Sequence, residues 1–270
     1  MSEIDPLQEL TNETISVHLS TRVLGRALYI HDEIDSTNDE AHRLAEAGAA
    51  HGTLVIADAQ TKGRGRRGRV WTTPKGKALA MSLVLRPKLP AARAPELAFA
   101  AALAVCESAR EMGAGQAALK WPNDVQCAGR KLSGLLAELR TQGPVLSHVV
   151  LGIGVNVNVV ASELPPELRD LATSLATERG APVSRALVCA MVLARLEQWL
   201  EVHTHEGFAP LRARWKELSA TLGKRVRVEG AQPMAGLAED MAEDGALLLR
   251  CDDGELRRVV VGDVEHLRAG

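Results

Sequence analysis

The sequence changes texture once, near residue 220, and that break constrains the fold more than any other feature. Before it, strand-like runs alternate with helical ones. Beyond Gly223 only short β-like runs remain, at 225–228, 234–239, 246–250 and 256–261, separated by turns such as Glu243-Asp244-Gly245 and Asp252-Asp253-Gly254. Four or five short strands in roughly 50 residues predict a small barrel. Domains usually run about 100–150 residues, so 270 residues suit one large domain with a small appendage.

Within the first part, residues 27–34 read as a strand. Ser36-Thr37-Asn38 interrupts it, and Thr37 with Glu40 has capping-box spacing. A helix with Ala41, Leu44 and Ala45 on one face follows and stops at Gly48. Residues 53–59 predict a strand that runs into a loop of glycines and cations. Leu79, Met81, Leu83 and Leu85 alternate, which predicts a strand with one buried face. Pro95 opens a long apolar helix ending near Gly113. Residues 117–139 predict two strands around Ala128-Gly129 with a Pro122-Asn123-Asp124 interruption, and 145–160 a strand that breaks at Gly152-Ile153-Gly154. Ser184 caps a long helix carrying Leu187, Val188, Met191, Leu196 and Trp199, and a shorter helix carries Leu211, Trp215 and Leu218. Residues 1–20 are polar and weakly patterned, so a loosely held extension is expected there.

Composition narrows the function classes. Lys plus Arg is 32 and Asp plus Glu is 34, so a net charge of -2 gives no global attraction to nucleic acid or anionic membrane. Cys106, Cys127, Cys189 and Cys251 lie far apart, which argues against a zinc site or a disulfide framework and for a reducing cytoplasm. The first 20 residues carry acids and no apolar run, so no signal peptide is expected. The longest stretch without Asp, Glu, Lys or Arg, 141–162, contains Gln142, His148, Asn156 and Asn158, so no membrane span is expected. There is no GxSxG, HExxH or P-loop; the eight histidines form no ligand spacing, and His203-x-His205 reads as a solvated pair at a helix end. No protein metal site is expected.

Four segments carry chemistry. Lys62-Gly63-Arg64-Gly65-Arg66-Arg67-Gly68-Arg69, closed by Trp71, packs five cations and three glycines into eight residues without an acid. Glycine brings backbone N–H groups close to an oxyanion and arginine offers a planar fork, so the loop suits a small anionic ligand. A solvated basic loop and an RGG-like nucleic-acid segment are its other readings. In the second segment, Lys120 to Val125, the Pro-Asn-Asp sequence reads equally as a turn. Lys131 then opens a mostly apolar run, where a charge needs a reason, and Asp124 is a possible partner across the hairpin. Third, Gly152 and Gly154 lie in a strand without a following helix, so they mark either close approach by a ligand or a bulge, not a dinucleotide fingerprint. Fourth, Ser36-Thr37-Asn38 is either a helix cap or a set of small polar groups for a compact ligand such as a ureido group.

Taken in this order, the segments resemble the biotin protein ligases. The matching stretches are 34–38, Gln60 with 63–71, 120–125, 131–138 and 152–156, and 245–249 fits the family's C-terminal domain. The resemblance implies an α+β fold: a class II synthetase-like mixed β-sheet flanked by helices at 25–220, after an extension at 1–24, and a small SH3-like barrel at 221–270. It implies a cytoplasmic enzyme that uses ATP and Mg²⁺ to turn biotin into biotinyl-5′-adenylate. The acyl group then passes to a lysine of the biotin carboxyl carrier protein of acetyl-CoA carboxylase or a related carboxylase.

The same resemblance puts Ser36, Thr37, Asn38 and Gln60 on the biotin head group. Gly63 and Arg64 lie on biotin, Arg66 meets the phosphoryl end, and Gly65 belongs to the binding set. Lys131 is placed on the carboxyl and bridging oxygens, with Asn123 and Asp124 orienting it or the Mg²⁺–phosphate group. Trp71 and Asn156 serve the adenosine. Lys120, Gly134, Gly152 and Gly154 complete the binding set, and Arg268 reaches the triphosphate. Lys131, Arg64 and Arg66 are the expected catalytic residues.

Family members that repress transcription carry a helix-turn-helix domain, for which the residues before 25 are too few, so no specific DNA binding is expected. The family contains monomers and homodimers. The lipoate and octanoate ligases share the fold, but octanoyl transfer needs a cysteine nucleophile, and none of the four lies in a matching segment.

Overall fold

The structure is a computed structural model describing residues 9–72, 74–229, 233–260 and 262–267. The chain runs α1 (Asn12–Ser16), β1 (Leu28–Ile34), α2 (Thr37–Glu46), β2 (Leu54–Gln60), β3 (Ala78–Leu85), α3 (Glu96–Glu111), β4 (Ala117–Lys120), β5 (Asp124–Cys127), β6 (Arg130–Gln142) and β7 (Val145–Asn156). It continues through α4 (Leu175–Arg179), α5 (Arg185–Glu206) and α6 (Ala209–Glu217) into β8 (Arg225–Glu229), β9 (Met234–Met241), β10 (Leu247–Cys251), β11 (Leu256–Val259) and β12 (Asp263–His266).

β1 to β7 form one mixed sheet in the order β1-β2-β3-β7-β6-β5-β4, in which only β1 and β2 run parallel. Alternation assigns its two faces. Leu54, Ile56, Leu79, Met81, Leu83, Leu85, Val149, Leu151, Ile153 and Val155 join the main core beneath α3 and α5. On the other face Val55, Val84 and Val150 meet Ala41, Leu44 and Ala45 of α2. β3 is therefore buried on both faces, not one. Its second face, Ala78, Ala80, Ser82 and Val84, is too small and apolar to have been distinguished from a solvent face by alternation alone.

β8 to β12 form a second, antiparallel sheet in the order β11-β10-β9-β8-β12; among the described residues β11 and β12 do not pair to close it into a barrel. It is tied to the first sheet through the KWPND segment. The Trp121 indole N–H donates to Gly245 O at 2.9 Å and Trp121 N donates to Thr221 Oγ1 at 3.0 Å. A Cβ at Gly245, where φ is +88°, would press on the Phe99 ring. Trp121 is thus a buried anchor, and it holds the second sheet against the end of the first.

Several expectations change. The N-terminal segment is held, not loose, from residue 11 onward: Thr11 caps α1, Ile15 is fully buried against α5, and Glu197 accepts from the backbone N–H of Arg22, Val23 and Leu24. Ser36, not Thr37, caps α2. Three strands, not two, occupy 117–139, because Pro122-Asn123-Asp124 separates β4 from β5. β7 runs through its glycines without a break. His203 is buried, not solvated, with Nε2 2.5 Å from Glu96 Oε2. Arg268 lies outside the described residues.

Candidate active site

Strand register builds the floor of the site. Ala80, Gly154 and Gly134 lie abreast on β3, β7 and β6, and Ser82, Gly152 and Leu136 form the next row. Small residues aligned across three strands sink the sheet surface and leave a cleft of about 360 Å³. The Trp71 indole roofs one row: a Cβ at Gly154 would collide with its Cε2, and a Cβ at Gly134 would crowd its Cζ3 and the Lys131 side chain. A Cβ at Gly152 would collide with Asn38 Oδ1. The glycines therefore mark close approach, by Trp71 and Asn38, in a strand that pairs with β3 without a bulge.

At one end the cleft is neutral and polar. Thr37 N and Oγ1 both donate to Gln60 Oε1, at 2.8 and 3.1 Å, which aims the Gln60 amide. Ser82 Oγ lies 2.8 Å from Thr37 Oγ1 and 2.6 Å from Asn38 Oδ1. Ser36, Thr37 and Asn38 are all buried beneath this end. Such a cluster of fixed amides and hydroxyls suits a compact uncharged ligand group with donors and acceptors close together.

The other end is cationic. Lys131 Nζ pairs with Asp124 Oδ1 at 2.8 Å across the β5–β6 hairpin and stands 5.7 Å from the Trp71 ring centroid. Asn123 N-terminal to it receives Arg66 Nη1 on Oδ1 at 2.9 Å, while its own amide donates to Leu135 O. Burial pushes the pKa of both Arg66 and Lys120 downward, partly offset by Asp263 and Asp124 respectively. Cations made costly in this way gain most from an anion, so this end suits phosphate or carboxylate.

The arginine–glycine loop crosses from one end to the other. Gly63 and Trp71 pair through Trp71 N to Gly63 O at 2.9 Å, and a Cβ at Gly63 would strike Trp71 O. Arg67 sits in the left-handed region at φ 56°, unusual for a side chain of its size. Its Nη1 donates to Glu229 O at 3.1 Å. The second sheet grips this loop. Asp263, opening β12, lies 2.8 Å from Arg69 Nη2, 3.6 Å from Arg67 Nη1 and 4.0 Å from Arg66 Nη1. Arg64 instead turns to Asp39 at 2.6 Å and Glu138 at 3.1 Å.

These contacts predict the loop's local stability. Asp263→Asn should speed tryptic cleavage at residues 66–69 by about three- to tenfold, since partly exposed pairs each contribute about 0.2–1 kcal/mol. Melting temperature should barely move. Unchanged cleavage would mean that the loop is held from elsewhere.

Of the residues singled out from sequence, Ser36, Thr37, Asn38, Gln60, Arg64, Gly65, Arg66, Trp71, Lys120, Asn123, Asp124, Lys131, Gly134, Gly152, Gly154 and Asn156 line this one cleft, with Gly63 on the adjoining side of the loop. Asn156 is partly committed: its amide N–H donates to Thr173 O at 3.0 Å. Asp263 was missed because an acid in a distant, differently textured segment has no local signal. The apolar rim of Leu164, Leu168, Leu171 and Ala172 was missed for a similar reason; Leu171 is 63% exposed there. Among the described residues no group of three His, Cys, Asp or Glu side chains is arranged to hold a metal ion. No helix among them is long and apolar enough to cross a membrane.

Residues 31–156 match the biotin/lipoate A/B protein ligase family, and residues 221–267 match the biotin protein ligase C-terminal domain. The chain is 36% identical over 258 residues to the bifunctional ligase/repressor BirA of Bacillus subtilis, covering 95% of this chain and 79% of that one. It is 37% identical over 256 residues to the biotin–[acetyl-CoA-carboxylase] ligase of Mycobacterium tuberculosis, covering 90% of each. The structure of biotin protein ligase from Aquifex aeolicus in complex with biotin and ATP superposes with a TM-score of 0.78 at 31% identity, covering 90% of this chain and all of that one.

Proposed function

Since the chain belongs to the biotin protein ligases, we propose that its cleft joins biotin to ATP and passes the biotinyl group to a lysine of a carrier domain. The observation that carries this reading is the polarity of the cleft: fixed neutral amides and hydroxyls at one end, and Lys131, Arg66 and Lys120 at the other.

The biotin ureido ring takes the end with Ser36, Thr37, Asn38 and Gln60, and its apolar body and valeryl chain run over the glycine rows beneath Trp71. The carboxylate then emerges beside Lys131. ATP takes the cationic end, with its α-phosphate between Lys131 and Arg66 and its adenosine towards Asn156 and the apolar rim. The carboxylate oxygen attacks the α-phosphorus, the bond to the bridging oxygen breaks, and pyrophosphate leaves with both electrons. Two anions repel as they approach, so fixed cations aimed at the charge in flight supply the catalysis. In the second step the carrier lysine amine attacks the acyl carbon and AMP departs.

Mg²⁺ would ride on the triphosphate. The cleft offers it one lining carboxylate, Asp124, and no cage, which suits an ion that keeps substrate oxygens and waters as ligands. Its charge would lower the repulsion between the two substrates. Asp263 and Arg66 then link the second sheet to the loop over the reacting groups.

Octanoyl transfer through a cysteine is disfavoured. All four cysteines are buried and none lines the cleft; burial pushes Cys106 up to about 11 and Cys189 up to about 12. The carrier domain of acetyl-CoA carboxylase, or of a related carboxylase, is the expected acceptor.

The direct test is to incubate protein, biotin, Mg²⁺ and α-phosphate-labelled ATP and to look for biotinyl-adenylate, then to add a carrier domain and follow label-free transfer by streptavidin blot. No adenylate, with octanoate or lipoate consumed instead, would overturn the assignment. The floor predicts its own variant. Gly154→Ala should displace Trp71 and raise KM for biotin by about tenfold or more, as a methyl intrudes where ligand and indole meet. Far-UV and melting data should stay near wild type, and a KM within twofold would show that the row leaves spare room.

A further inference from the structure

Glu138 stands on β6 at the third row of the cleft floor, beside Val150 of β7, and the reaction outlined above does not use it. Its Oε2 receives two donors from opposite sides. Asn38 Nδ2 donates from the floor at 2.7 Å, and Arg64 Nη2 donates from the loop at 3.1 Å. We propose that Glu138 is a positioning residue for biotin, which fixes the orientation of the Asn38 amide and ties the loop arginine to the pocket floor.

The argument starts from the amide. Asn carries an acceptor on one side and donors on the other, and its neighbours decide which faces where. A carboxylate only accepts, so Glu138 forces Nδ2 towards β6. Oδ1 is then turned to Ser82 Oγ at 2.6 Å, and Ser82 continues to Thr37 and Gln60. Donors therefore run from Arg64 and Asn38 to Glu138 and from Ser82 to Asn38, and Ser82 lies beside Thr37, whose hydroxyl donates to the Gln60 amide oxygen. With Glu138 gone, either amide orientation of Asn38 would do, and the pattern offered to the ureido ring would be lost.

The surroundings keep Glu138 charged. On its other side, His42 Nε2 lies 3.7 Å away, too far for a hydrogen bond. His42 Nδ1 is 3.0 Å from His148 Nε2, and His148 Nδ1 is 3.3 Å from Ser147 Oγ. The nearby His42 ring, then the Asn38 amide and Arg64, against the cost of burial, hold the carboxyl below its ordinary range. Glu138 is thus an acceptor at neutral pH. Asp39, also on α2, shares Arg64 with it at 2.6 Å.

This inference rests on the cleft binding biotin, and the experiment separates the two. Calorimetric titration of wild-type protein with biotin alone tests the ligase reading: no binding sinks that reading. With wild type binding, Glu138→Ala should weaken biotin by about tenfold or more, since the lost contacts are charge-assisted. KM for ATP should stay within twofold, which general loosening of the fold would not allow. Asn38→Ala supplies the decisive control. Acting through Asn38, Glu138→Ala should cost little more in the Asn38→Ala background, whereas additive losses would overturn the proposal. Biotin affinity within twofold of wild type for Glu138→Ala would overturn it as well. Should that variant not fold, Glu138→Gln replaces it. It keeps the size and one acceptor but loses the charge, and biotin affinity unchanged within twofold would again reject the role.

Discussion

Lys131→Ala should slow biotinyl-adenylate formation by about 10²–10³ while the protein remains folded. Lys131 is the one ammonium that the hairpin brings beside both Trp71 and Gly134, at the edge of the apolar floor. Its salt bridge with Asp124 fixes the direction of that charge before substrate arrives. Preorganisation of this kind matters most where charge moves, as it does when a carboxylate oxygen bonds to phosphorus and pyrophosphate departs. A lost charge-assisted contact in a partly dry cleft costs about 2–4 kcal/mol of transition-state stabilisation. The cost to folding is much smaller. The Lys131 side chain is 37% exposed, so its ion pair is largely solvent-screened, and Lys120 remains near Asp124. Lys131→Arg should recover only part of the rate, because a planar fork cannot occupy the place of a point charge. Single-turnover adenylation with labelled ATP measures both, and an alanine variant within threefold of wild type would remove Lys131 from the reaction.

The parts of this site that are short in sequence were the legible ones. Lys131 and Asp124 are seven residues apart, and a charge opening an apolar run already asked for a partner; the hairpin supplies it at 2.8 Å. The glycines and cations of 63–69 likewise suited an anion site, and their position after a buried strand weighed against the solvated-loop and RGG-like readings. What could not be read is register. Nothing local says that Gly134, Gly154 and Ala80 lie abreast, yet that coincidence makes the cleft. Alternation mis-stated β3 because Ala and Ser are silent about burial, and Ser82 turns out to be a hub of the polar end. Trp121 carried no assigned role in the sequence, and the structure gives it one: its indole holds the second sheet. Asp263 stood outside every pattern, because its partners are nearly 200 residues earlier.

Arg66→Gly should turn a discriminating ligase into one that labels bystander proteins. Arg66 is the loop residue bound on both sides of the cleft mouth: to Asn123 Oδ1 at 2.9 Å and to Gly262 O at 3.4 Å, with Asp263 4.0 Å away. Its removal frees the loop from Asn123 and takes away one of its links to the second sheet, leaving Arg67 and Arg69 to hold it there. Lys62, Arg64, Arg67 and Arg69 keep their acidic partners, but these pairs are partly exposed and solvent-screened, so the loop's closure over the mouth loosens once Arg66 is lost. The polar end is built without Arg66, from Thr37, Asn38, Gln60 and Ser82, so biotin affinity should change little. A tether of hydrogen bonds to a charged group is worth about 1.5–3 kcal/mol, so the adenylate should escape roughly 10- to 100-fold faster. A mixed anhydride in free solution acylates whatever amine it meets before water destroys it, and on this reading a closed loop prevents that. The measurement is a streptavidin blot of a bystander protein incubated with the variant, biotin and ATP, beside a filter assay of adenylate release. Adenylate still made with the bystander as clean as in the wild-type reaction would mean that something other than this loop retains the intermediate.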